Sequence, residues 1–233
     1  LLAAPLAMLA FPAALPAPAP VTFAEWEVPH ERPRPRDPYV APDGSVFFVG
    51  QVGNYIARLD QKSGQFTRFE IDPGTNPHNL IIDRRGMVWY AGNRNGMIGR
   101  LDPATGAITR YPMPDSTARD PHTLVFDQAG DIWFTAQQSG FVGRLATRTG
   151  KIDLIKLDRS PSGRSTLPYG IVIDAKGTPW FCEFGSNTLV SINPRTLALS
   201  RFALADERTR PRRIAPTSDG AISPSRSRDL EVT

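Results

Sequence analysis

Two Pro-His pairs open apolar runs of the same shape, "PHNLIID" at residues 77–83 and "PHTLVFD" at residues 121–127. An imidazole exchanges a proton near neutral pH, so His78 and His122 are the first candidates for chemistry or for ligand contact. The structural alternative is an imidazole at a strand start, hydrogen-bonded to backbone or to its neighbour. A third run, "PYGIVID", carries Tyr169 in the place of the histidine, and two further copies carry Arg36 and Arg212 there. The single cysteine, Cys182, lies inside the apolar "PWFCEF", where a thiol serves as a small packed hydrophobe rather than a nucleophile. One cysteine cannot form a disulfide within the chain.

These residues belong to a repeat that must position them. Prolines at 35, 77, 121, 168 and 211 each precede a glycine by nine residues: Gly44, Gly86, Gly130, Gly177 and Gly220. Three residues further on stand Phe47, Trp89, Trp133 and Trp180, and the repeat spacing is 42, 44, 47 and 43. A fixed period of this size signals a repeat architecture. Within one unit, "HNLIID" reads as a strand buried on both faces, "DRRG" as a tight turn and "MVWYAG" as a second strand. "GMIGRLD" is a third strand, "PATG" another turn, and the alternating "AITRYPM" an outer fourth strand. Four antiparallel strands in this span make one propeller blade, which buries its faces only by stacking on neighbours. The expected fold is all-β, a β-propeller of four-stranded antiparallel blades over residues 21–222, with about four and a half blades present. The aromatic set belongs to the core between blades, and Arg58, Arg100 and Arg144 belong to third strands away from the channel. "FAEWEVP" at 23–29 matches the outer-strand pattern without a blade of its own.

The ends differ in composition. Residues 1–20, "LLAAPLAMLAFPAALPAPAP", read as the apolar and cleavage regions of a secretory signal without its charged start. Prolines interrupt that stretch too often for a membrane span. Export to the periplasm or medium is therefore expected. The last copy follows the repeat up to Ile222, and then "SPSRSRDLEVT" at 223–233 replaces the blade pattern, as an irregular, truncated or frame-shifted end would. The net charge of +4 comes from 27 basic residues spread along the chain, without the clustering or interleaved aromatics of a nucleic-acid binder.

The motif Pro-His or Pro-Tyr, apolar run, D-x-x-G, Trp-aromatic, I-G-R-L-D-P-x-T-G resembles that of the streptogramin B (virginiamycin B) lyases over residues 21–222. "PHNLIIDRRGMVWYAGNRNGMIGRLDPATGAITRYPMP" carries the resemblance most fully. It implies a seven-bladed propeller that, complete, is a monomer. It also implies an enzyme that opens the ester of a cyclic depsipeptide antibiotic by elimination, with antibiotic resistance as the outcome. There a histidine takes the α-proton while Mg²⁺ polarises the adjacent carbonyl. By this resemblance His78 and His122 occupy the position of the base. Arg36, His78, His122, Tyr169 and Arg212 face the funnel as substrate contacts, and Glu183 matches the metal-binding carboxylate of a W-F-x-E segment. The departures are specific. Fourteen residues after the histidines stand Gly92 and Ala136 rather than Glu, and the blade of Glu183 carries Tyr169 instead of His and Leu167 instead of a second carboxylate. A non-catalytic propeller binding a small molecule, peptide or protein in its funnel is the alternative.

Overall fold

The computed structural model describes residues 22–160, 163–206 and 209–225; the signal-like leader at 1–20 lies outside the described residues. The first sheet contains β1 (Pro35–Val40), β2 (Val46–Gly50), β3 (Tyr55–Leu59) and β4 (Phe66–Glu70). The second contains β5 (Pro77–Ile82), β6 (Val88–Gly92), β7 (Met97–Leu101) and β8 (Ile108–Pro112). The third comprises β9 (Pro121–Phe126), β10 (Ile132–Ala136), β11 (Phe141–Ala146) and β12 (Lys151–Lys156). The fourth comprises β13 (Pro168–Ile173), β14 (Pro179–Glu183), β15 (Thr188–Ile192) and β16 (Leu199–Ala203), and β17 (Ile214–Pro216) pairs with β18 (Ile222–Pro224) in a fifth. Strand order follows the sequence in every sheet and all pairings are antiparallel.

In the second sheet burial falls from the axis outward, whereas β1 of the first sheet is mostly exposed. All six residues of β5 are buried, whereas β8 alternates between half-buried and exposed positions. The core is a series of wedges between successive sheets. Phe47 packs with Leu80, Ile82 and Tyr90 between the first and second, and Trp89 with Leu124, Ile132 and Phe134 between the second and third. Trp133 packs with Ile171, Phe181 and Val190 between the third and fourth, and Trp180 packs with Ile214 and Ile222 of the fifth. Neighbouring sheets thus bury faces that none could bury alone.

The D-x-x-G motif has a structural task. Asp83 accepts the backbone N–H groups of Arg85 and Met87 through Oδ1 and the indole N–H of Trp89 through Oδ2, the last at 3.0 Å. Asp127 does the same for Ala129, Asp131 and Trp133, and Asp174 for Lys176, Thr178 and Trp180. One carboxylate closes the turn and satisfies a largely buried indole. The first sheet has Ala41 and Phe47 at these positions, so donor and acceptor are lost together. The guanidiniums of Arg100 and Arg144 lie 5.5 and 5.7 Å from the rings of Trp89 and Trp133, their cross-strand partners.

Two segments differ from the sequence pattern. Residues 23–29 form no strand. Val28 packs on Phe48, Tyr55 and Ala57, and His30 meets Tyr55 and Phe66 edge-on, so the segment lies against the face of the first sheet rather than at an edge. At the other end β18 runs past Ile222 to Pro224, and Ser225 donates to the carbonyl of Arg213; residues 226–233 of the irregular end lie outside the described residues. No helix among the described residues is long and apolar enough to cross a membrane.

Candidate functional site at the channel mouth

The innermost strands β1, β5, β9, β13 and β17 present the residue after each leading proline at one end of the channel. Their ladders are irregular there. Register shifts fall between Arg36 and Tyr39, between Pro77 and Leu80, and between Pro168 and Ile171, and opposite Thr135 and Ala136 in the third sheet. Each bulge inserts an extra residue into the inner strand and re-aims a side chain toward the axis. The residues just before four of the five leading prolines, Arg34, Asn76, Leu167 and Arg210, have positive φ of 33–49°. The chain is therefore turned sharply into the channel at these points.

Four of the five expected contact residues are brought together. The rings of His78 and His122 lie 3.6 Å apart at 33°, and Tyr169 meets His122 edge-on at 4.4 Å. The guanidinium of Arg212 is 5.8 Å from the Tyr169 ring. Arg36 instead donates from Nη1 to Oε1 of Gln51 at 3.1 Å, back onto its own sheet. Its charge is still felt by both imidazoles.

Sequence reasoning missed a second set of residues around this one. Asp37 accepts from Arg213 at 2.8 Å and from Asn79 at 3.2 Å, joining the first, second and fifth sheets across the axis. Asn79 in turn accepts the backbone N–H of Leu124 at 2.9 Å. No local signal marks Asp37 and Arg213 as partners, because 176 residues separate them. Phe184, 6.1 Å from Tyr169, was findable: the same repeat position holds Gln51, Asn93 and Gln137 in the other blades.

The two histidines are buried, 5% and 2% exposed. Nδ1 of His122 lies 2.9 Å from the Thr123 hydroxyl, whereas Nδ1 of His78 has no hydrogen-bond partner among the described residues and stands 3.9 Å from Asp37. Burial holds the pKa of His78 down at about 4, helped by the charges of Arg36 and Arg213 and opposed by Asp37. Burial lowers His122 further, with His78, Arg213 and Arg36 adding to it. Both imidazoles are neutral at pH 7. So depressed a pKa makes either one a weak proton acceptor.

Glu183 is 1% exposed and already engaged. Its Oε2 accepts from the Ser186 hydroxyl at 2.5 Å, and Oε1 is 3.4 Å from Nε of Arg201. It lines a side cavity of 260 Å³ with Asp158, Arg159, Thr166 and Arg201. Mg²⁺ demands a near-octahedral set of oxygens. Two carboxylates beside two guanidiniums do not supply that set, and among the described residues no group of three His, Cys, Asp or Glu side chains is arranged to hold a metal ion. The described residues therefore do not fit the metal that the resemblance implies.

Four-stranded blades stacked around an axis, with bulged inner strands carrying variable residues at one end, define a β-propeller. The sequence profile of the virginiamycin B lyase family matches residues 22–229, and the chain belongs to that family. Among solved structures, a streptogramin B lyase is similar at 24% identity with a TM-score of 0.78, covering 87% of this chain and 65% of its own. A catalytically inactive histidine-to-alanine variant of the virginiamycin B lyase from Staphylococcus aureus, solved with quinupristin, matches at 22% and 0.76, covering 89% of this chain and 74% of its own. A protein described as a putative gluconolactonase matches at 16% and 0.63, covering 82% and 71%. The chain thus spans about two thirds of the streptogramin B lyase, and likenesses at these identities establish the fold. A comparison with curated proteins finds no match.

Proposed function

We propose that the protein is an exported, streptogramin B lyase-like propeller acting on the ester of a cyclic depsipeptide by Mg²⁺-assisted elimination. The residues described here supply the substrate-contacting wall of the funnel. The family match over residues 22–229, with Tyr169, His122 and His78 converging behind the leading prolines, is the observation that carries this reading. In that role Tyr169 and Arg212 offer a ring face and a cation to the substrate, and the stacked imidazoles close the floor beneath them. Bound Mg²⁺ would supply Lewis-acid polarisation of the substrate carbonyl. Glu183 does not supply its donor, since it is engaged by Ser186 and Arg201.

One observation favours a second reading. Both histidines are neutral, buried and without the matching carboxylate, as suits a propeller that binds a ligand without turning it over. Incubation with a streptogramin B, with and without EDTA, followed by mass analysis separates the two. Linearisation that EDTA abolishes supports the lyase; an intact antibiotic that still protects the protein from thermal unfolding supports the binder.

A further inference from the structure

Beside the converged ring residues lies a feature that the family motif does not use. The guanidinium of Arg210 sits 4.2 Å from the centroid of the Phe184 ring, and that of Arg212 sits 4.9 Å from the same centroid. Both side chains are exposed, and among the described residues neither pairs with a carboxylate. By contrast, Arg213 next door is paired with Asp37, and Arg201 with Glu183. Two cations on one ring repel each other, and a bound anion would offset that repulsion.

The backbone holds both in place. The N–H of Arg210 donates to Oδ1 of Asn187 at 2.9 Å, and the carbonyl of Arg212 accepts from the N–H of Gly170 at 3.0 Å. Gly170 is required there, since a Cβ at that position would stand 2.7 Å from the Arg212 oxygen. The backbone of the site is therefore fixed, and a ligand has only the two guanidinium side chains left to order.

We infer that Arg210, Arg212 and the ring of Phe184 form a carboxylate-binding subsite at the channel mouth, suited to a carboxylate borne on or next to an aromatic group. The guanidiniums, held on the buried Phe184 ring, supply charge-assisted hydrogen bonds, and the half-buried Tyr169 supplies a ring face. The inference needs the mouth to be a ligand site, as proposed above, but not ring opening, so an inactive lyase assay leaves it standing.

The test is calorimetric titration of the full chain with benzoate, its neutral isostere benzamide, and inorganic phosphate. Benzoate is expected to bind about tenfold more tightly than benzamide, to weaken as salt is raised, and to lose about tenfold in the R210Q/R212Q double variant. Equal affinity for benzoate and benzamide overturns the inference. So does unchanged benzoate binding in the double variant, or phosphate binding more tightly than benzoate, which would make the site a phosphate cradle. If the double variant does not fold, the comparison of the three probes on the unaltered chain decides alone.

Discussion

The two ends of the inner strands obey different rules. At the turn end, Asp83, Asp127 and Asp174 repeat the same three hydrogen bonds to two backbone N–H groups and one indole. At the mouth, the equivalent positions hold Arg36, His78, His122, Tyr169 and Arg212, no two neighbours of which make the same contacts. In these three blades the turn end satisfies the same backbone and indole problem, so its chemistry is the same. The mouth faces whatever occupies the channel, so its chemistry is free to vary. A uniform end therefore marks scaffold, and the variable end built on bulges is the candidate site.

That contrast can be broken most forcefully at the scaffold. Trp133→Ala empties a fully buried wedge between the third and fourth sheets and should cost about 3–5 kcal/mol, read as a lower urea midpoint. Asp127→Ala should cost about 1–3 kcal/mol, because it strands a buried indole N–H and two turn N–H groups. The first sheet sharpens the point. Phe47→Trp alone buries an unanswered donor and Ala41→Asp alone leaves Oδ2 without an indole to accept, so together they should be about 1 kcal/mol better than the sum of the singles. Simple additivity in that double-mutant cycle would mean that the aspartate and the tryptophan are not a unit.

At the mouth the expected effects are smaller and depend on conditions. His78 and His122 have pKa values below that of an unfolded histidine, so between about pH 6.5 and 4 the unfolded chain binds protons that the folded chain refuses. Stability is accordingly full above the unfolded pKa and falls as the pH drops, by up to about 1.4 kcal/mol per pH unit for each imidazole. His122→Gln should flatten that acid limb in a series of denaturant titrations. A limb that keeps its slope would place the titrating groups elsewhere. The smallest effect is expected from metal at Glu183: with its carboxylate held by Ser186 and Arg201, any shift of the unfolding midpoint by millimolar Mg²⁺ should be the same in Glu183→Gln as in the unaltered chain.

The scaffold was legible because its rules are local. Leading proline, D-x-x-G and tryptophan fall within one blade, and their bonds span two to six residues. The mouth was legible only in part. The repeat pointed to His78, His122, Tyr169 and Arg212, because the position after each proline could be counted. It did not reveal that Arg36 folds back onto Gln51, or that Asp37 reaches Arg213 across the axis, since such pairings depend on where bulges aim side chains from different blades. Glu183 shows the limit of motif matching. Its sequence position matched a metal carboxylate, while its surroundings, a serine and a guanidinium, are those of a structural anion.

The account rests on the residues after successive leading prolines meeting at the channel. Nitrogen-detected NMR of the three histidines between pH 8 and 5 tests this most directly. The account predicts that His78 and His122 remain neutral throughout and show ring-to-ring contacts with each other, as a stack at 3.6 Å requires. Two imidazoles titrating near 6.5, without mutual contacts, would contradict it.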